Sequence, residues 1–467
     1  MVSGRRALGA GLIAAILVLA FVLRIDAAHR EPYKPINDAG SYLTIASYVA
    51  QTGDYSLKTT PGSGAGGTRG PSAYFAPGFP YFLGLVDLID GHAVRRGPAI
   101  QPVRDSQAVL GTITVALVGL VAFELFGTTA GLIALLLAAV YPVFTEEASI
   151  IAAENLLTPL IMAALYTALR SRRAASGAAR YAWVAGTGVL AGLATLTHEN
   201  GVLILIGLIP AVWIGRRVGG KFSLRSLAAP ALLLALTALT ILPWTIRNAL
   251  VMHTFIPVSD ETGITLVGTY NVASAANTQV PYKWRIFYGI PHEGALIHNE
   301  SHMTEPQLGS ELQSQAIHYI EHHPISLVQV LYHNTRRLFE IEGTFAWRAS
   351  AAAVSLTTEV ARTGVISFYI LCLLAIAALA TRRARSAPWW VWVIPFLLAL
   401  SVVMVNVETP RFREPVDPFL ILLAAAGLSV PVDWLIARLH RAPVGRQAGD
   451  AVAARPGQLV EVRERLA

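Results

Sequence analysis

The sequence predicts an all-α polytopic membrane protein, on three observations. Of its 467 residues, 54% are hydrophobic and 14% charged, and the mean hydropathy is +0.53; a soluble domain carries about 25% charged residues. The apolar residues fall in blocks of about 20, the length that crosses a hydrocarbon core of about 30 Å. The basic residues gather between those blocks, so the formal charge of +7 reads as a topology signal rather than a nucleic-acid footprint. The lone cysteine, Cys372, excludes an intrachain disulfide.

The first block, from about Leu8 to Ile25, follows Arg5 and Arg6. It reads as a retained helix with its basic end in the cytoplasm. A large outer region, 26–102, comes next. It opens on "NDAGSYLTIASYVAQTGDY", where apolar residues from Tyr42 to Ala50 recur at helical spacing behind Asp38, as in a helix lying on a membrane surface. "PGSGAGG" at 61–67 holds a G-x-G-x-x-G pattern. No buried strand precedes it and no clear helix follows, so it reads as a loop. "APGFPYFLGLVDLID" at 76–90 is apolar but short, with two Pro and two Asp. We place it as a re-entrant or interface-parallel helix outside the membrane core.

Further blocks lie at about 103–127, 129–148, 151–170, 181–197, 199–215, 226–243, 364–381, 388–405 and 415–436. With the first they make about ten spans. An inside N-terminus then puts "RSRRAASGAAR", "GRRVGGK", "TRRARSAP" and "ARLHRAPVGRQ" inside as well. These are the four most basic short connections, in agreement with the positive-inside rule; a span at 76–90 would turn all four outward. A second large outer region, 247–360, is partly helical in pattern ("EPQLGSELQSQAIHYIEHH", "ISLVQVLYHNTRRLFEIE"). The expected organisation is a membrane domain over 1–436 and a disordered cytoplasmic tail over 437–467.

Ionisable residues collect at the expected outer boundary: Asp38, Asp54, Glu146, Glu147, Glu154, His198, Glu199, Arg247, Arg411 and Arg413. Such groups are costly beside lipid, so they pair or face a cavity. Guanidinium groups suit phosphate, which they grip through paired hydrogen bonds. A carboxylate at Asp38 and an Arg pair at Arg411 and Arg413 suggest a lipid phosphate and a group to be deprotonated. The second outer region also offers His298 with His302, and His318 with His322, each pair four apart, with Glu293 or Glu300 as a third ligand. Nothing fixes their geometry, and a divalent metal is not favoured.

The ordered set "FVLRID", "NDAGSYLTIASYVAQTGDY", "APGFPYFLGL", "TEEASIIAAENLLTPLIMAAL", "GVLAGLATLTHENGVLIL", "LPWTIRNALVMHTFIPVS" and "PRFREPVDPFLILLAAAGL" resembles the polyprenyl-phosphate-sugar-dependent membrane glycosyltransferases of the GT-C fold. It looks most like the branch related to protein O-mannosyltransferases and lipid A aminoarabinose transferases, from Leu8 to about Ile436. The resemblance implies a GT-C-like bundle with interfacial helices in the first outer loop. Asp38 matches the family's acceptor-activating Asp, with Ala39 where relatives often carry Glu. Glu154 matches a second acidic position, and Arg411 and Arg413 match the basic pair before the last helix, the expected donor-phosphate site. Asp54, Glu146, Glu147, His198, Glu199 and Arg247 are further candidates for substrate binding.

The implied reaction transfers a sugar from polyprenyl phosphate to a hydroxyl of a glycan, lipid or protein at the extracytoplasmic face, with inversion. A donor carried on lipid also fits an outer site, where nucleotide sugars are scarce. A phosphate ester is a good leaving group, so the site needs a base and cations rather than a general acid. The alternative is a transporter or flippase for a lipid-linked or anionic substrate. The large outer regions and the lack of a clear internal repeat favour the transferase.

Overall fold

The computed structural model describes residues 2–30, 33–57, 70–91, 99–213, 217–218, 221–222, 224–285, 290 and 303–441. The 61–67 loop, His298, His302, Glu293 and Glu300 lie outside these residues, as does the chain after Arg441. The regular elements among the described residues are helices and two short strands, Arg217–Val218 and Lys221–Phe222, paired antiparallel with Arg217 opposite Phe222.

Ten helical segments match the expected spans in order: α1 (Val2–Arg30), α4 (Ile100–Phe126), α5 (Thr128–Val140), α7 (Glu154–Arg172), α8 (Gly177–Thr197), α9 (Ile204–Val212) behind a 3-10 turn over Glu199–Leu203, α10 (Ala228–Met252), α16 (Thr358–Ala378), α18 (Trp389–Val403) and α19 (Asp417–Arg441). Five of these, α1, α4, α10, α16 and α19, are long and apolar enough to cross a bilayer by themselves. The others are shorter or less apolar, so length and composition alone do not reach a count of ten. Large apolar side chains face outward along the bundle, such as Val18, Leu373 and Ile376, each at least 62% exposed. Lipid, not water, is the solvent that accepts such a surface.

The expected span 129–148 is broken, and its sequence says why. Pro142 has no N–H to give the Ala138 carbonyl, and the chain turns at Tyr141 into a short helix, α6 (Pro142–Glu147). Arg24, buried in α1, supplies the missing donors. Its Nη2 donates to Ala138 O at 3.0 Å, and its Nη1 to Ala139 O at 3.2 Å and Ala20 O at 3.0 Å. Gly111 on α4 leaves room for it, because a Cβ there would lie 2.8 Å from Arg24 Nε.

The described parts of the two long regions expected outside form a layer on the bundle with its own apolar core. α2 (Asp38–Thr52) packs against α3 (Gly78–Asp90), and Tyr42, Leu43, Ile45, Phe79 and Leu83 are buried between them and their neighbours. α3 has 13 residues, about 20 Å of helix, and packs chiefly against α2. The second outer region adds α11 (Thr262–Thr269), α12 (Val272–Ala275), α13 (Glu305–His322), α14 (Ile325–Leu338) and α15 (Thr344–Ala353). A capping box, Thr304 with Gln307, starts α13. Glu305 beside it locks the two outer regions together, accepting from the Ser72 hydroxyl at 2.7 Å and Ala73 N–H at 2.6 Å. Asp260 N–H donates to Ala73 O at 2.9 Å. A four-residue helix, α17 (Arg382–Arg385), closes the opposite end between α16 and α18.

Candidate active site

Between the outer layer and the bundle lies a cavity of about 690 Å³. Asp38 reaches it from the first turn of α2, and His198 and Glu199 from the end of α8. Arg411 reaches it from a 3-10 turn, Arg411–Arg413, that precedes α19. Val202, Leu203, Val402 and Val405 give it an apolar wall.

Three predicted residues meet here. Arg411 Nη1 donates to Asp38 Oδ2 at 2.8 Å, and Arg411 Nε contacts both Glu154 oxygens at 3.0 Å. Glu154, at the start of α7, is 2% exposed and is not part of the cavity wall, whereas the Asp38 side chain lines the cavity and is 40% exposed. Phe412 lies under the same guanidinium, 4.9 Å away. The inner acid thus holds Arg411 in place, and Arg411 presents the outer acid.

Residues 76–246 match the family model described as dolichyl-phosphate-mannose-protein mannosyltransferase. Among solved structures, the Archaeoglobus fulgidus oligosaccharyltransferase tethered to an acceptor peptide aligns over 92% of this chain and 50% of its own, at 13% identity and a TM-score of 0.50. The chain has a GT-C fold. It spans about half the length of the oligosaccharyltransferase structures it matches. ArnT from Cupriavidus metallidurans bound to undecaprenyl phosphate aligns at 17% identity and a TM-score of 0.40, over 92% of this chain and 79% of that one. No curated protein sequence matches.

Other residues singled out in the sequence occupy different places in this GT-C fold. Arg413 does not join Arg411. Residues two apart on a turn of three residues face different sides. Arg413 is 2% exposed, donates to Glu340 at 3.0 Å, Asp417 at 3.2 Å and Leu338 O at 3.1 Å, and stacks on Phe368. It is enclosed with two carboxylates, Glu340 and Asp417, and does not line the cavity. Glu146 borders a separate narrow space beside Arg413. Glu147 is fully buried, and its carboxyl has no hydrogen bond to any described residue. Asp54 is exposed on the turn after α2. Arg247 is a strap: it donates to Ser72 O at 2.7 Å and Tyr55 O at 2.9 Å and stacks on Trp244.

Sequence reasoning missed part of the cavity wall. Lys283 and Glu408 pair across it at 3.1 Å. Burial works against the Glu408 anion, but Lys283 and Arg411 outweigh it and hold the acid below its usual range. Glu261 also lines the cavity; burial first, and then Glu199, push it well above the usual range. Glu199 itself accepts from the Ser259 hydroxyl. The signal for Lys283 was the basic and aromatic run "YKWR" at 282–285. Among the described residues no group of three or more His, Cys, Asp or Glu is arranged to hold a metal. His318 and His322 lie one turn apart on α13, and His322 Nδ1 lies 2.8 Å from the His318 carbonyl of its own helix.

Proposed function

We propose that the chain is a membrane glycosyltransferase that moves a sugar from a polyprenyl-phosphate donor to an acceptor hydroxyl at the extracytoplasmic face, with inversion. The observation that carries this reading is the Arg411 bridge, which sets one exposed carboxylate beside one fixed guanidinium at the wall of a cavity with an apolar side. The matched family is named for a dolichyl-phosphate sugar donor, and the apolar wall suits a lipid carrier.

Asp38 takes the proton of the acceptor hydroxyl as its oxygen attacks the anomeric carbon. The bond from that carbon to the phosphate oxygen breaks, and polyprenyl phosphate leaves with the electron pair. One displacement inverts the centre. The leaving phosphate gains negative charge, so Arg411 and Lys283 act where charge develops, which is where preorganised cations lower a barrier. The donor phosphate competes with Asp38 for Arg411 and with Glu408 for Lys283. Donor binding thereby frees the Asp38 carboxylate for the acceptor, giving an order of donor first and acceptor second.

The test is transfer of labelled sugar from polyprenyl phosphate by the purified protein in vesicles, followed as loss of lipid-linked label and gain of labelled acceptor. Movement of intact donor across the bilayer without cleavage would make the chain a transporter.

A further inference from the structure

The end of the bundle remote from the cavity collects the basic connections. At the C-terminus of α4, Glu124 receives Arg170 at 2.9 Å and Arg173 at 2.6 Å. On the same end, Arg383 of α17 donates to Ser429 Oγ at 2.7 Å and Asp433 Oδ2 at 2.6 Å on α19, and Asp433 also accepts from Thr129 at 2.6 Å. These bonds tie the starts of α5 and α17 to the later turns of α19. Val430 lies 13 positions beyond Asp417 on α19, about 20 Å along the helix from the Arg413 cluster.

A pocket of about 660 Å³ opens between these elements. Leu125, Phe126 and Val430 form one wall, and Thr381, Arg382, Arg383 and Ser386 the other. Arg383 is neutralised by Asp433. Arg382 is exposed and has no hydrogen bond or ion pair to any described residue. Trp389 and Trp434, 66% and 55% exposed, stand on the same end, as aromatic residues do at the level of lipid headgroups.

We propose that this pocket binds an anionic phospholipid, with the headgroup phosphate on Arg382 and the start of an acyl chain against Phe126 and Val430. The charge left over at the rim is one cation, which complements one phosphodiester. The apolar wall continues into the lipid-facing surface at Phe123 and Leu379, so a lipid uses both walls and a free phosphate only one. Basic side chains near a bilayer contribute about 1 kcal/mol each toward anionic lipid.

The full-length protein is reconstituted in vesicles of phosphatidylcholine alone or mixed with phosphatidylglycerol, extracted gently, and its retained lipid counted by native mass spectrometry. Phosphatidylglycerol should be retained over phosphatidylcholine. Arg382→Ala should weaken that preference about 5-fold, and Arg382→Glu about 25-fold, one and two charges at that contribution. Val430→Trp fills the apolar wall with the charge intact, and should lose the lipid too. The thermal transition in detergent checks that each variant is folded. Equal retention in Arg382→Glu overturns the proposal. So does retention unaffected by Val430→Trp, which would reduce the effect to diffuse surface charge. Full displacement by inorganic phosphate would make the site one for a free anion, and cross-linking of residues 442–467 into the pocket would give it to the tail; either outcome also overturns the proposal.

Discussion

Arg411 Nη1 reaches Asp38 Oδ2 at 2.8 Å across 373 positions of chain. The contact ties α2 to the turn before α19. A guanidinium is needed because one planar group must serve Glu154 through Nε and Asp38 through Nη1 at once.

Arg411→Lys keeps the charge but replaces the fork with a single ammonium. It cannot hold Glu154 and Asp38 in the same geometry. Turnover should fall by about 10²–10³-fold, the usual loss for one preorganised donor, and donor affinity should fall with it. Initial rates against donor concentration measure both. Unaltered kinetics in Arg411→Lys would leave the bridge a structural tie only.

Arg413→Ala should act on stability rather than on chemistry. It strands Glu340 and Asp417, both buried, and removal of one partner from such a cluster costs about 3–5 kcal/mol. Thermal unfolding in detergent should show a large loss, while the folded fraction keeps its donor affinity. A selective loss of donor affinity would return Arg413 to the phosphate site.

The helix positions were legible because each apolar block needs enough length to cross lipid. The pairing of Arg411 with Asp38 and Glu154 was legible only as three charges at one boundary. Sequence spacing ranked Arg413 with Arg411, since both precede the same span, and could not show that a 3-10 turn sends them to different sides. The break at Pro142 was written in the chain, but its repair by Arg24 depends on α1 lying against α5. Lys283 and Glu408 were missed for the same reason: they lie 125 positions apart and meet only through the packing of the second outer region.

The dock between the outer regions should be sensitive to pH. Burial raises Glu305 to about 7, with the bonds from Ala73 N–H and Ser72 pulling the other way. Burial, and then Glu199, raise Asp260 to about 6. Both acids are raised, so the folded state holds protons that the unfolded chain has already released. Well below the ordinary Asp value of 3.8 the two states are equally protonated. As pH rises toward 7 the unfolded chain ionises first, and stability falls until Glu305 also ionises. The loss from Glu305 is on the order of 3 kcal/mol. Unfolding midpoints from pH 4.5 to 8 should slope downward in the native chain and be flatter in Glu305→Gln. The same slope in both would place the dependence elsewhere.

Orientation can be read with a single reactive thiol. On a Cys372→Ser background, Thr52→Cys at the end of α2 should react with an impermeant maleimide from outside the cell, and Ser176→Cys, between α7 and α8, should react only after permeabilisation. Both positions are exposed. Labelling of Ser176→Cys from outside would reverse the assignment of faces and with it the extracytoplasmic active site.

The two acids around Arg411 should separate by kinetics. Asp38 has the exposed carboxylate and faces the cavity, so it is the one placed to meet an acceptor hydroxyl. Asp38→Asn keeps the shape and still offers Arg411 an oxygen, but cannot take a proton. Turnover should fall about 10²–10⁴-fold, the range for loss of a general base, while donor affinity holds or rises, because Arg411 keeps Glu154 and loses an anion that competes with the donor phosphate. Glu154→Gln is different in kind. It removes the charge that fixes the guanidinium, so donor affinity and turnover should fall together, and thermal stability should drop because Arg411 loses a buried partner. The measurement is turnover with a defined acceptor, donor affinity and thermal midpoint for each variant. Near-native turnover in Asp38→Asn, with collapse in Glu154→Gln at unchanged donor affinity, would make Glu154 the base and leave Asp38 to orient the acceptor.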